Sequence, residues 1–451
     1  MDILDSGVSP FRRNNPAWFF IRSFIFVILT GALLLMLPMS SKSGSFTDPL
    51  TALFTATSAT CVTGLVVVDT GTYWSSFGHL VIMGLIQIGG LSYIVLVTSL
   101  MILLNRKIPL RERIMIQFSL NTLSIKGIIG FLKGVLLTVL IFEGIGALSL
   151  FTIFIRNHSF IEALKFAIFH SVSAFCNAGF DLIGGFRSFT QYVDNIQLNL
   201  TVTLLIITGG IGFFVIYDIY QKITKRKNHL SIHSKAALLT TLFLIIFGTI
   251  MIFILEYNNT LKPLSWTGKI LGSYFQSVTP RTAGFNTIDI GKMRPATWLL
   301  LIILMFIGAS PGGTGGGIKT VTFLVISLSI FAILLERKHV HFKNRSLNWE
   351  TVKRAWAVFF FSLILVLSSW FLLLLTEPFE PLKILFEVVS AFGTVGLSTG
   401  ITPQLSSFGR IIIILTMFLG RVGTVTAGLA LLSSINHKKL IDYPVEEVSV
   451  G

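Results

Sequence analysis

Four glycines in this chain each end a short run and precede a large apolar residue. The runs are Thr60-Cys61-Val62-Thr63-Gly64-Leu65, Phe175-Cys176-Asn177-Ala178-Gly179-Phe180, Pro280-Arg281-Thr282-Ala283-Gly284-Phe285 and Phe392-Gly393-Thr394-Val395-Gly396-Leu397. The glycines lie 115, 105 and 112 residues apart. The chemistry such runs can share is that of their backbone. A cation sheds its water where several oxygens replace it, and converging carbonyls supply them without charge, in a number and field that favour potassium over sodium. Carbonyls that point one way need backbone angles that glycine adopts at little steric cost. The expected ion ligands are therefore carbonyls of Val62, Thr63 and Gly64, of Asn177, Ala178 and Gly179, of Thr282, Ala283 and Gly284, and of Thr394, Val395 and Gly396.

Such a site must sit among spanning elements. Of the 451 residues 53% are hydrophobic and 12% charged, about half the charged share of soluble domains. The first apolar stretch, 17–37, is long enough to cross a bilayer, which takes about 20 residues. It exceeds a signal h-region and no A-x-A-like cleavage site follows, so it reads as a retained span. The net charge of +15 is not spread evenly. Twenty of the 35 Lys and Arg fall at Arg12 and Arg13, in 106–126, in 222–235, in 337–354, and at Lys438 and Lys439. Basic excess marks cytoplasmic loops, which places both termini and the three inter-repeat loops inside. The clusters read as solvated loop charge at a membrane, so no nucleic-acid partner is expected. The two cysteines, Cys61 and Cys176, are too few for a disulfide framework or a zinc site; they read as free thiols that fill space. The histidines show no metal spacing.

Each glycine turn belongs to a repeat of a long apolar run, a medium one and a second long one. These are 17–37, 50–59 and 74–104; 125–155, 161–175 and 195–223; 235–255, 266–278 and 293–335; and 352–375, 382–391 and 408–435. If every medium run crossed the membrane, successive basic clusters would fall on opposite sides. They share a side only if each medium run dips in from outside and returns. Irregular backbone at membrane depth is tolerated where it is buried in protein or lines a wet cavity. The expected fold is all-α and integral to the membrane, with eight spanning helices, four re-entrant pore loops and pseudo-fourfold symmetry. Its units are 1–104, 105–227, 228–345 and 346–436, followed by a cytoplasmic tail, 437–451. The outgoing helices carry further glycines, Gly89-Gly90, Gly209-Gly210, Gly308 and Gly420, suited to close helix packing or to widening an inner vestibule.

The residues resemble the Ktr/Trk/HKT superfamily of potassium transporters, most of all the bacterial Ktr-type membrane subunit. The resemblance rests on T-A-x-S-A-T-C-V-T-G-L (residues 55–65), P-R-T-A-G-F-N-T (280–287), S-P-G-G-T-G-G-G-I-K-T (310–320) and F-L-G-R-V-G (418–423). It implies potassium as the transported ion, with the first-repeat Gly64 tied to selectivity over sodium. It further implies a homodimer in the bacterial plasma membrane, a cytosolic ring of nucleotide-binding regulatory subunits, and sodium as an activator.

The third outgoing run, 293–335, holds 43 residues. As one helix it would reach about 65 Å, against a hydrocarbon core of about 30 Å. It must break, and Pro311 among the glycines of 308–317 makes that the place. A loop there would lie under the turns and could gate them. The expected gate comprises Gly308, Gly312, Gly313, Thr314, Gly315, Gly316, Gly317 and Lys319, with Arg421 of the fourth repeat as an anchor and an electrostatic barrier. The rival P-loop reading fails, because Ile318 separates Gly317 from Lys319 and no strand precedes. No cofactor is expected in this chain, and no nucleophile–base pair suggests an enzyme. A carrier of alternating access would also show broken helices, but the basic loops give all four repeats one orientation. Arg281 is expected to turn away from the ion toward an acid, with Glu387 as a candidate. Lys133, Glu143 and Asp218 are expected in helix-end or interhelical pairs.

Overall fold

The computed structural model describes residues 16–91 and 128–423. The basic groups at Arg12 and Arg13, in 106–126 and at Lys438 and Lys439, and the tail 437–451, lie outside the described residues. So do the ends of the first and fourth outgoing runs.

Four helical units follow one another. The first comprises α1 (Pro16–Met36), α2 (Pro49–Thr60) and α3 (Ser76–Leu91). The second comprises α4 (Ile128–Phe154), α5 (Phe160–Phe175), α6 (Ile196–Gly210) and α7 (Phe213–Ile223). The third comprises α8 (Ile232–Glu256), α9 (Trp266–Val278), α10 (Pro295–Ile307) and α11 (Thr320–Leu334). The fourth comprises α12 (Trp349–Thr376), α13 (Pro381–Phe392) and α14 (Ser407–Val422). Among the described helices α4, α8 and α12 are long and apolar enough to cross a membrane, and the pair α6–α7 qualifies if taken as one bent span. Shorter apolar helices include α3, α10 and α11.

The short helices α2, α5, α9 and α13 begin where their sequences put start signals. Asp48 accepts a hydrogen bond from Thr51 N and Pro49 follows it. Ser159 and Glu162 form a reciprocal capping box, Ser265 accepts from Gly268 N, and Pro381 opens α13. The side-chain caps satisfy amides that a helix start leaves free, and a proline at the first position brings none.

Packing makes the four units a ring. Each short helix packs against the incoming helix of its own unit and against the outgoing helix of the preceding one. Thus α3 meets α5, α6 meets α9, α10 meets α13, and α14 returns to α2. Large apolar side chains such as Phe26, Leu33, Leu140, Leu148 and Phe371 face outward, whereas Thr57, Ser58, Ser173, Ser277, Thr279 and Ser390 are buried. That distribution suits lipid outside and a polar axis within. Gly89, Gly209 and Gly420 each lie against the last carbonyl of their own unit's short helix, those of Thr60, Phe175 and Phe392. At these three positions the glycines serve helix packing.

The third outgoing run breaks as expected, between α10 and α11. The second breaks as well, which the sequence reading of one continuous run over 195–223 missed. There α6 and α7 meet at 97°, with Gly212 at φ 98° between them and Phe213 N donating to Gly312 O at 3.0 Å. A tight β-hairpin, β1 (His341–Phe342) and β2 (Arg345–Ser346), lies in the basic segment 337–354.

Candidate functional site

The four glycine turns meet. A Cβ built on Gly64 would strike the carbonyl oxygen of Ala178; one on Gly179 that of Ala283; one on Gly284 that of Val395; and one on Gly396 that of Thr63. Each turn thus abuts the next, and the fourth closes on the first. The backbone repeats with them. Gly64, Gly179, Gly284 and Gly396 have φ of 89°, 70°, 81° and 92°. Two residues earlier, Val62, Asn177, Thr282 and Thr394 also have positive φ, at 58°, 59°, 78° and 49°. Left-handed angles at bulky or β-branched residues are costly and persist only where surroundings enforce them.

Hydroxyls of the short helices supply part of that enforcement. Ser58 and Ser390 accept from the amides of Gly64 and Gly396, each at 3.1 Å. Ser173 and Thr279 donate instead to the carbonyls of Phe180 and Phe285, at 2.8 and 2.6 Å. Sequence reasoning overlooked these four, because serine or threonine six or five residues before a glycine carries no signal in a single copy.

Outside the ring is a cavity of about 420 Å³. Gly64, Gly179, Gly284 and Gly396 all border it, and Asp69, Asp181 and Asp289 are in its wall. Asp69 accepts from Thr72 N and from Phe186 N of the second unit, both at 2.8 Å. Asp289 pairs with Lys292 at 3.0 Å. Asp181 lies in the loop outside the spanning helices; burial, reinforced by Asp69, raises its carboxyl to about 7.

On the other side lies the loop between α10 and α11. Its base is pinned by Ile318 N to Phe306 O at 3.2 Å, Thr320 N to Ala309 O at 3.0 Å and a 2.8 Å contact between the Ser310 and Thr320 hydroxyls. Its flank bonds to the second unit through Ser310 N to Gly210 O, 2.9 Å, and Thr314 N to Gly209 O, 3.1 Å. Gly315 sits so close to Thr282 that a Cβ would overlap its side chain, and a Cβ on Gly316 would meet Thr394. Gly316 N donates to Thr394 Oγ1 at 3.0 Å. Two turns of the ring therefore touch the loop directly. Lys319 folds back, donating from Nζ to Gly315 O at 2.5 Å and Gly316 O at 3.2 Å. Arg421 donates to Thr314 O from one nitrogen, and from the other to Gly89 O and, at 3.4 Å, to Gly90 O. It ties the loop to the first unit as well as to its own. The glycines and Lys319 singled out from the sequence thus all fall in one loop against the ring, with Arg421 bonded to it.

Other charged residues follow expectation in part. Arg281 does turn away from the ring, but among the described residues it meets no acid: one guanidinium nitrogen donates to Thr241 O at 3.0 Å. Glu387 instead accepts from Ser398 Oγ, Thr399 N and Thr402 Oγ1. Desolvated arginine satisfied by a carbonyl avoids a second buried charge. Asp218 pairs with Lys227 at 2.9 Å and accepts from Ser231 N and Ser234 Oγ. Glu143 accepts from Gln87 Nε2 of α3 at 3.1 Å, and Cys176 Sγ donates to Gln87 Oε1 at 3.2 Å. Lys133 forms no ion pair among the described residues. Both cysteines are free and buried.

A ring of backbone turns between an acid-lined cavity and a glycine loop can offer carbonyl oxygens to a cation. A family model described as "TrkH: Cation transport protein" matches residues 4–442. The chain belongs to the TrkH family. Among TrkH-family relatives, the Ktr system potassium uptake protein B of Bacillus subtilis is 43% identical, and the match covers 100% of both chains. The potassium/sodium uptake protein NtpJ of Enterococcus hirae is 38% identical over 98% of each. The crystal structure of the potassium transporter TrkH from Vibrio parahaemolyticus matches with a TM-score of 0.73 and 17% identity, covering 95% of this chain and 86% of that one. That likeness shows the TrkH fold.

Proposed function

We propose that the chain is the ion-translocating membrane subunit of a potassium-uptake system. The observation that carries this reading is the closed ring of four glycine turns. Carbonyls around such a ring replace the hydration shell of a cation, and the short helices direct their negative C-terminal poles toward it. In this reading α2, α5, α9 and α13 are pore helices, and the filter comprises Val62–Gly64, Asn177–Gly179, Thr282–Gly284 and Thr394–Gly396. The carboxylates of Asp69, Asp181 and Asp289 concentrate cations at the outer mouth. The loop of residues 308–319, latched by Arg421, is the gate. Lys319 and Arg421 place positive charge beneath the filter, which opposes cation passage until the loop moves.

The reading takes the membrane to be the cell membrane, crossed eight times, with both termini inside. The Bacillus relative is named as part of a Ktr system, which supports a multi-component assembly: a homodimer on a cytosolic nucleotide-binding ring. The Enterococcus relative is named for both potassium and sodium, so sodium is a fitting activator or competitor. Head-to-tail closure of four like-oriented units favours a pore over alternating access, which in inverted-repeat carriers rocks one repeat against another.

The test is rubidium flux into proteoliposomes holding the purified chain. A pore passes rubidium down its gradient, with potassium competing better than sodium. Uptake that requires a fixed ratio of sodium or protons would replace this reading with a coupled carrier.

A further inference from the structure

Three of the four short helices carry the same device facing the same target. Nine residues before the ring glycine stand His170 in α5 and Glu387 in α13; eight before it stands Gln276 in α9. All three side chains are fully buried. Each accepts a hydrogen bond from the backbone amide three residues past the glycine. His170 Nε2 accepts from Leu182 N at 3.1 Å. Gln276 Oε1, its amide oriented to suit these donors, accepts from Thr287 N at 3.0 Å and Ile288 N at 3.3 Å. Glu387 Oε1 accepts from Thr399 N at 2.8 Å, and the carboxylate also holds Ser398 Oγ at 2.7 Å and Thr402 Oγ1 at 2.6 Å. An imidazole, an amide and a carboxylate are chemically unlike. What they share is an acceptor at one place.

The first unit lacks this brace. The residue nine before Gly64 is Thr55, whose hydroxyl donates to Thr51 O of its own helix at 2.9 Å. In that unit the outer strand is instead joined sideways, through Asp69 to Phe186 N of the second unit.

We propose that His170, Gln276 and Glu387 are positioning residues for ion selectivity, each setting the depth of its turn's carbonyls by tying the strand beyond the glycine to the helix before it. The proposal rests on the reading of the ring as a filter. A turn closed at both ends cannot widen, whereas one tied only at the helix end can relax around a smaller ion. Three braced turns and one unbraced turn make the first unit the adaptable wall of the ring. Glu387 has the most to hold, since the fourth unit has no acid in its outer strand and the carboxylate comes from behind.

The experiment measures rubidium uptake and its competition by potassium and sodium in proteoliposomes. Glu387→Leu takes from the half-buried Thr399 amide its acceptor, a loss that lowers the preference for potassium over sodium by about tenfold. Glu387→Gln keeps an acceptor oxygen and should restore most of the preference. Thr55→Val, whose lost bond lies within its own helix, should leave it unchanged. Gln276→Leu carries the same expectation as Glu387→Leu and serves if that variant does not fold. Gly396→Ser reports on the filter itself. If it abolishes selectivity while the folded Glu387→Leu and Gln276→Leu variants retain it, the brace is refuted and the filter stands. If Gly396→Ser leaves selectivity intact, the filter reading fails first. A Glu387→Gln protein as unselective as Glu387→Leu would show that charge, not bracing, is the cause, and would also overturn the proposal.

Discussion

Replacing Arg421 by alanine should open the loop. Four neutral backbone donors hold the loop to its surroundings: Ser310 N to Gly210 O, Thr314 N to Gly209 O, Gly316 N to Thr394 Oγ1 and Phe213 N to Gly312 O, at 2.9, 3.1, 3.0 and 3.0 Å. Each contributes about 0.5–1.5 kcal/mol, whereas a bond from a charged donor contributes about 1.5–3 kcal/mol. The bond from Arg421 to Thr314 O is therefore the strongest single tie by this measure. Its loss shifts the balance toward the displaced loop by roughly tenfold or more. The side chain also holds Gly89 O and Gly90 O, which belong to the scaffold, so part of the cost falls on the fold. Thr394→Val separates the two. It removes only the acceptor for Gly316 N and should raise flux by about two- to tenfold. The assay is the initial rate of rubidium uptake into proteoliposomes, on protein that stays monodisperse in detergent. Folded Arg421→Ala and Thr394→Val variants with wild-type rates would refute the latch, because the loop would then be no barrier to the ion.

Three further outcomes follow from the same contacts. With its carboxyl raised to about 7 by burial and by Asp69, Asp181 should gain a proton as pH falls through that value; uptake from dilute rubidium should fall as external pH drops from about 8 to about 6, and Asp181→Asn should flatten that profile at the low rate. Gly420→Ala places a Cβ on the Phe392 carbonyl, and overpacking of this kind costs about 1–3 kcal/mol; thermal unfolding followed by fluorescence-detected chromatography should show a lower midpoint than wild type. Cys61 and Cys176 are free and fully buried, so a maleimide should label neither in the folded protein and both after denaturation; fast labelling of the native protein would contradict the packing around α2 and α5.

The ring and the loop were readable because they depend on spacing and length. Four glycines at near-equal intervals survive without knowledge of contacts, and a largely apolar run of 43 residues is too long for one crossing. The bend at Gly212 escaped because its run, 195–223, has an ordinary length for a span; hydropathy reports depth, not direction. The acceptor of Arg281 escaped for another reason. A search for opposite charges finds carboxylates, but Thr241 offers its carbonyl, and a backbone acceptor leaves no mark in a sequence. The same holds for Ser58, Ser173, Thr279 and Ser390, whose hydroxyls bond to main chain. Arg421 was legible as an expensive buried charge, yet its reach to Gly89 depends on α14 closing against the first unit.

The order in which the turns touch has a consequence for how damage spreads. Each ring glycine leaves space that the following unit's carbonyl occupies, from Gly64 to Ala178, Gly179 to Ala283, Gly284 to Val395 and Gly396 to Thr63. A side chain introduced at one glycine therefore injures its neighbour before its own turn. The circuit has a direction, like stones in an arch that each lean on the next. Lesions at Gly64 and at Gly396, though both adjoin the first unit, should distort different carbonyls, and only the second should displace Thr63.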